Sequence, residues 1–96
     1  MIVVCATMRA KTGKEDELVD NMRKLAAEVR EKEKGALDYT FHRSSKDPGL
    51  FMVYEKYESG EAMREHISSG HFQEAAKKLP ELLEGGLTLE TYEVVS

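Results

Sequence analysis

Residues 36–44, Ala-Leu-Asp-Tyr-Thr-Phe-His-Arg-Ser, and residues 50–57, Leu-Phe-Met-Val-Tyr-Glu-Lys-Tyr, are two β-rich runs either side of Lys46-Asp47-Pro48-Gly49. Proline presets φ for the second position of a turn, and glycine accepts positive φ at the third. The segment therefore reads as a β-hairpin. Upstream of it, Thr12 with Glu15 three residues later reads as a capping box. Leu18, Met22, Leu25, Ala26 and Val29 then follow at helical spacing and form one apolar stripe. Acidic residues open that helix (Glu15, Asp16, Glu17), basic ones close it (Lys32, Lys34), and Gly35 is placed for a left-handed cap. Before it, Ile2 to Arg9 is a first strand. Downstream, Ser59 caps a short helix, and a new helical pattern restarts at Ser69-Gly70-His71-Phe72 with Ala75, Ala76, Leu79 and Leu83. Pro80 and Gly85-Gly86 close it, and Leu87 to Val95 is the last strand.

The order is β-α-β-β-α-β with the second helix split, which is the α+β, ferredoxin-like arrangement of a four-stranded antiparallel sheet with helices on one face. The strands, however, are apolar on both faces: Ile2, Val4, Ala6 and Met8 oppose Val3 and Cys5, while Phe51 and Val53 oppose Leu50, Met52 and Tyr54. A sheet with one wet face should alternate cleanly. A second copy of the chain is the expected cover, so a homodimer is expected.

Length and charge narrow the function classes. Ninety-six residues make one domain, spanning 1–96, that can bury about 60–65% of its unfolded surface. Fourteen basic against eighteen acidic residues give a net charge of −4, which argues against nucleic-acid binding. The apolar run Ile2–Ala6 is too short for a membrane span or a signal peptide, so no membrane partner is expected. The lone Cys5 excludes an intrachain disulfide and a cysteine-based zinc site, and a cytoplasmic location is the default.

The run from Gly35 to Tyr39, Asp47-Pro48, Phe51-Met52-Val53-Tyr54-Glu55-Lys56-Tyr57, Ser59 to His66 and Ser69-Gly70-His71-Phe72 resembles the antibiotic biosynthesis monooxygenase-like family. The likeness in element order runs from Ile2 to Val95. It implies a dimeric α+β barrel in which two sheets enclose a pocket on the side away from the helices. The family includes cofactor-independent monooxygenases of phenolic polyketides and quinols, heme-degrading enzymes and isomerases of phosphorylated autoinducer-2. Two positions depart from its patterns. Tyr57 stands where oxygenase members often carry tryptophan, and Gln73-Glu74-Ala75-Ala76 lacks the histidine of heme-degrading members.

Among the residues themselves, His66 lies between Met63 and Ile67, beside a buried stripe, and is the candidate general base. Glu55, a carboxylate in an apolar strand, is its candidate partner, a surface ion pair being the plainer alternative. Tyr39, Tyr57 and Phe72 are candidate substrate contacts or plain core; His71 is a capping residue or a further substrate contact. His66 and His71 straddle Ser-Ser-Gly, so no regular helix face holds both and no metal is expected. No glycine-rich phosphate loop is present, so no nucleotide or flavin cofactor is expected either. The leading expectation is a cofactor-free monooxygenase of a quinol or related phenol with molecular oxygen. The alternatives are an isomerase of a small phosphorylated keto compound, for which Arg43 and Arg64 are the available cations, and a dimeric binding module without turnover.

Overall fold

A computed structural model of the chain describes residues 1–96. Seven elements follow in order: β1 (Ile2–Arg9), α1 (Glu15–Lys32), β2 (Ala36–Arg43), β3 (Leu50–Tyr57), α2 (Gly60–Ser68), α3 (Gly70–Leu82) and β4 (Thr88–Glu93). The strands form one antiparallel sheet in the order β2-β3-β1-β4, and the fold is the ferredoxin-like α+β arrangement. No helix is long and apolar enough to cross a membrane.

The core lies between the helices and one face of the sheet. Ala6 sits opposite Val53 and Met8 opposite Phe51, and these side chains meet the α1 stripe of Leu18, Met22, Leu25, Ala26 and Val29. Leu18 and Val29 are fully buried. Each large aliphatic residue of that stripe contributes about 1.5–3 kcal/mol by leaving water. Asn21 on the same stripe is buried and donates from Nδ2 to the Ala75 carbonyl at 3.1 Å, which ties α1 to α3.

Several local expectations take a different form. Thr12 does not cap α1. Gly13 turns the chain with φ +87°, Lys14 occupies the cap position without a side-chain bond, and Glu15 reaches back to accept from the Gly13 N–H at 2.9 Å. Gly35 is not left-handed; α1 ends at an extended Glu33. Its missing side chain serves close packing instead, since a Cβ there would lie 2.6 Å from the Ala62 Cβ. In the hairpin the Leu50 N–H donates to the Asp47 carbonyl at 3.1 Å, but Gly49 does not take positive φ. The turn is held by side chains: Asp47 accepts from the Gly49 N–H and pairs with Arg9 at 2.7 Å.

The split between α2 and α3 falls on Ser69, which serves both helices. Its N–H and its hydroxyl both donate to the His66 carbonyl, closing α2, and its Oγ accepts from the Phe72 N–H, opening α3. Pro80 lies within the last turns of α3 and does not end it, because the helix continues to Leu82. Strand β4 is shorter than the sequence suggests, and all six of its residues are exposed.

The tight approach of Gly35 to α2 gives a stability test. Gly35→Ala should destabilise the fold by about 1–3 kcal/mol through overpacking against Ala62, read as a lower urea midpoint at unchanged slope.

Candidate active site

A cavity of about 230 Å³ lies between the helices and the sheet. This corrects the side expected from the family resemblance. Glu55, paired across the sheet with Val4 and Tyr39, shares the face that the helices cover, so the strand register points the lining residues toward the helices. Small side chains (Ala6, Ala75, Ala76) leave the space, and Leu87, Leu89 and Thr91 from the β4 region form one wall. Fifteen of the eighteen lining residues are hydrophobic; only Glu55, His66 and Thr91 are polar.

His66 is in the last turn of α2, with its side chain 3% exposed. Its ring is enclosed by Phe72, Tyr39 and Tyr57, with centroids 4.9, 5.0 and 5.6 Å away. The Nδ1 atom lies 2.9 Å from Oε2 of Glu33 and 3.1 Å from Oε1. A carboxylate only accepts, so the proton sits on Nδ1 and the Nε2 lone pair is free. Nε2 is buried and has no hydrogen-bond partner. Burial lowers the pKa of His66 below the ordinary 6.5, outweighing the hydrogen bond and charge of Glu33, which act in the opposite direction. The imidazole is thus neutral, with a lone pair available in an apolar enclosure.

Glu55 lines the same cavity but is not the partner of His66. Tyr57 donates to its Oε1 at 2.6 Å, two residues along the strand. Burial raises the Glu55 carboxyl to about 7; the nearby charge of Glu33 adds to the rise and the Tyr57 hydroxyl opposes it. The partner role in hydrogen-bonding terms belongs to Glu33. That residue reads in sequence as one member of the Glu31-Lys32-Glu33-Lys34 charge run at a helix end. No local pattern separates it from a solvated pair; its place two residues before the family-like stretch starting at Gly35 is the only pointer.

The remaining candidates divide. Tyr39 and Phe72 are in the cavity wall. Tyr39 has its hydroxyl pKa raised by burial first and by the charges of Glu55 and Glu33, so it stays protonated. Tyr57 is fully buried behind the wall, bonded to Glu55. His71 is neither cap nor cavity residue: Ser69 caps α3, and His71 donates from Nε2 to the same Glu33 oxygen that His66 uses. Though no single helix face holds both histidines, the corner at Ser69 brings them together across two helices. Arg43 stacks on Phe51 with its guanidinium carbon 4.8 Å from the ring centroid, and neither it nor Arg64 is in the cavity wall.

Comparison with known proteins places this geometry in context. The family model for antibiotic biosynthesis monooxygenase matches residues 1–78. Among solved structures, a Caulobacter crescentus CB15 protein provisionally assigned to antibiotic biosynthesis monooxygenases is 29% identical, with TM-score 0.94, covering 99% of this chain and 90% of the other. PA3566 from Pseudomonas aeruginosa is 25% identical, with TM-score 0.91 and coverage of 99% and 94%. A conserved protein from Methanosarcina mazei Go1 is 27% identical, with TM-score 0.88 and coverage of 95% and 89%. No curated protein matches the chain.

The raised Glu55 pKa has a stability consequence. The folded state holds this proton more tightly than the unfolded chain, whose carboxyl titrates near 4.5. The group's favourable contribution is therefore full below about pH 4.5 and is lost as pH rises through about 7. Glu55→Gln, which still accepts from Tyr57, should stabilise the protein by about 1–3 kcal/mol at pH 8 and change little at pH 4.5, in paired urea titrations. An equal effect at both pH values would contradict the burial argument.

Proposed function

The chain belongs to the antibiotic biosynthesis monooxygenase family, and on that footing we propose that it is a cofactor-independent monooxygenase of a quinol or related phenolic small molecule. One observation carries the reading: a neutral histidine on the lining of an apolar cavity, whose Nδ1–H is held by Glu33 and whose Nε2 is buried and left without a partner. Nε2 removes the phenolic proton, and Glu33 stabilises the imidazolium that forms without taking its proton. The resulting electron-rich anion gives an electron directly to dioxygen, a step the closed-shell neutral molecule does slowly. In the overall reaction one oxygen atom enters the ring and the other leaves as water. All four electrons come from the substrate, so the stoichiometry calls for no other reductant. The apolar lining excludes water from the anion while it reacts.

Cavity charge favours a neutral aromatic over a phosphorylated keto compound, since no lysine or arginine lies in the wall while Glu55 does. A volume of about 230 Å³ suits a ligand at or below the lower end of usual pockets, about 300 Å³. Tyr39 and Phe72 offer ring faces to such a substrate. Glu55 is a second proton-transfer group in the same space, which keeps isomerisation as the alternative reaction.

We further propose a homodimer. Val3, Cys5, Met52, Tyr54 and Tyr92 share the sheet face turned from the helices, among polar neighbours such as Thr7, Lys56 and Glu90. Tyr92 on that face, at 52% exposure, is unusual for a strand in a finished surface. Light scattering should give twice the 10.9 kDa chain mass at micromolar concentration; a stable monomer would contradict this. The absence of any possible intrachain disulfide accords with a cytoplasmic protein.

Metal-free, flavin-free protein should consume oxygen with a naphthohydroquinone or benzohydroquinone above the rate of autoxidation. His66→Ala should lower that protein-dependent rate by about 10²–10⁴-fold, and Glu33→Gln by a comparable factor, with the fold intact by circular dichroism. Isomerisation of a phosphorylated keto compound without oxygen uptake would replace the reading with its alternative. Full activity in His66→Ala would remove the catalytic assignment. Thermal stabilisation by quinols without any turnover would leave a binding module.

A further inference from the structure

Glu33, His66 and His71 come from the end of α1, the last turn of α2 and the first turn of α3. One carboxylate oxygen, His66 Nδ1 and His71 Nε2 all lie within 4.8 Å of one another. Their side chains are 11%, 3% and 9% exposed. Both imidazoles aim their ring nitrogens at a single point, occupied by Oε2 of Glu33, at 2.9 and 2.5 Å.

We propose that this cluster binds a divalent transition-metal ion of the zinc and cobalt class, seated between the two imidazoles with Glu33 as third ligand. The convergence of the two nitrogens is the main argument, because it is the costly part of a metal site and here the fold supplies it. To seat an ion there at the usual metal–nitrogen distance of about 2.0–2.1 Å, the two imidazoles close in by a few tenths of an ångström and the carboxylate withdraws by about 2 Å, to coordinate from its new position. Two imidazoles with one carboxylate select zinc, cobalt, nickel or ferrous iron over magnesium and calcium, which take oxygen shells. A polar surface hollow reaches Glu33; its wall carries Glu58, Glu61 and Glu65 against Lys32 and Lys34, so acidic groups outnumber basic ones along this approach from solvent.

The ion would not meet the substrate. Neither Glu33 nor His71 is in the wall of the apolar cavity; His66 alone belongs to both places. Its consequence, which rests on the proposed function, is a change of tautomer. With Glu33 on Nδ1–H the lone pair is on Nε2. With a metal on Nδ1 the proton of the neutral ring moves to Nε2, and the base becomes a hydrogen-bond donor. Metal binding behind the wall therefore switches off the group inside it.

Cobalt(II) is the probe, because its visible absorption reports coordination independently of activity. Titration of metal-free protein should give a visible band saturating at one ion per chain, bleached by zinc. His71→Ala and the gentler His71→Gln should each weaken binding by about 10–100-fold or more, while His42→Ala on the exposed strand should not. No band and no calorimetric heat up to about 1 mM metal, or equal binding in both His71 variants, would overturn the site. In oxygen-uptake assays saturating zinc should abolish the His66-dependent rate and a chelator should restore it. Full turnover at saturation would overturn the tautomer switch. A cobalt band in protein with no metal-free turnover would sink the proposed function and leave the metal site standing.

Discussion

One carboxylate, Glu33, takes the N–H groups of two histidines on different helices, where little water reaches. A charged acceptor strengthens each bond to about 1.5–3 kcal/mol, and leaving a buried charge without them would cost more. The arrangement holds only if three chain segments arrive together. Gly35 lets the end of α1 pack directly on Ala62, and Ser69 breaks the second helical segment so that His66 and His71 turn toward the same point. With one continuous helix in place of α2 and α3, a separation of five residues would put the two imidazoles on different faces. The split is thus a functional feature of the fold.

Burial acts on the two titratable groups of the cavity in opposite senses with one result. It raises Glu55 and lowers His66, and in both cases the neutral form gains. The cavity therefore holds less charge near neutral pH than ordinary side chains would give it, with His66 neutral, Glu55 only partly ionised and Glu33 standing behind the wall. An uncharged substrate enters such a space at little desolvation cost, and charge develops only once the proton moves. At that moment the imidazolium faces a carboxylate already in place, so no solvent reorganisation is needed.

Much of the fold is legible from local pattern. The α1 stripe, the Ser59 and Ser69 caps and the hairpin rest on interactions spanning a few residues, and those are what a sequence displays. His66 and Glu55 were visible as polar residues in apolar surroundings. Glu33 was not: its partners lie 33 and 38 residues away, and its neighbours are lysines and glutamates that suit solvent equally well. The sense of the cavity also escaped, because alternation says that two faces differ and not which one the helices take. The missed caps at Thr12 and Gly35 share one cause. Several backbone solutions satisfy the same helix end, and packing against Ala62 selects among them at Gly35.

The difference between Glu55 and Glu33 as partners is chemical as well as geometric. A carboxylate that met His66 from inside the cavity would occupy the nitrogen that has to meet substrate. Glu33 holds Nδ1–H and so leaves the buried Nε2 without a partner, on a residue that lines the cavity. The reactive tautomer is consequently governed by a residue with no surface in the cavity. What the cavity admits is governed elsewhere, by Leu87, Leu89 and Thr91 on the exposed fourth-strand side. Because the proton chemistry sits at a helix corner and the shape of the space at a sheet edge, changes at that edge can alter the substrate while the corner keeps the base in working order.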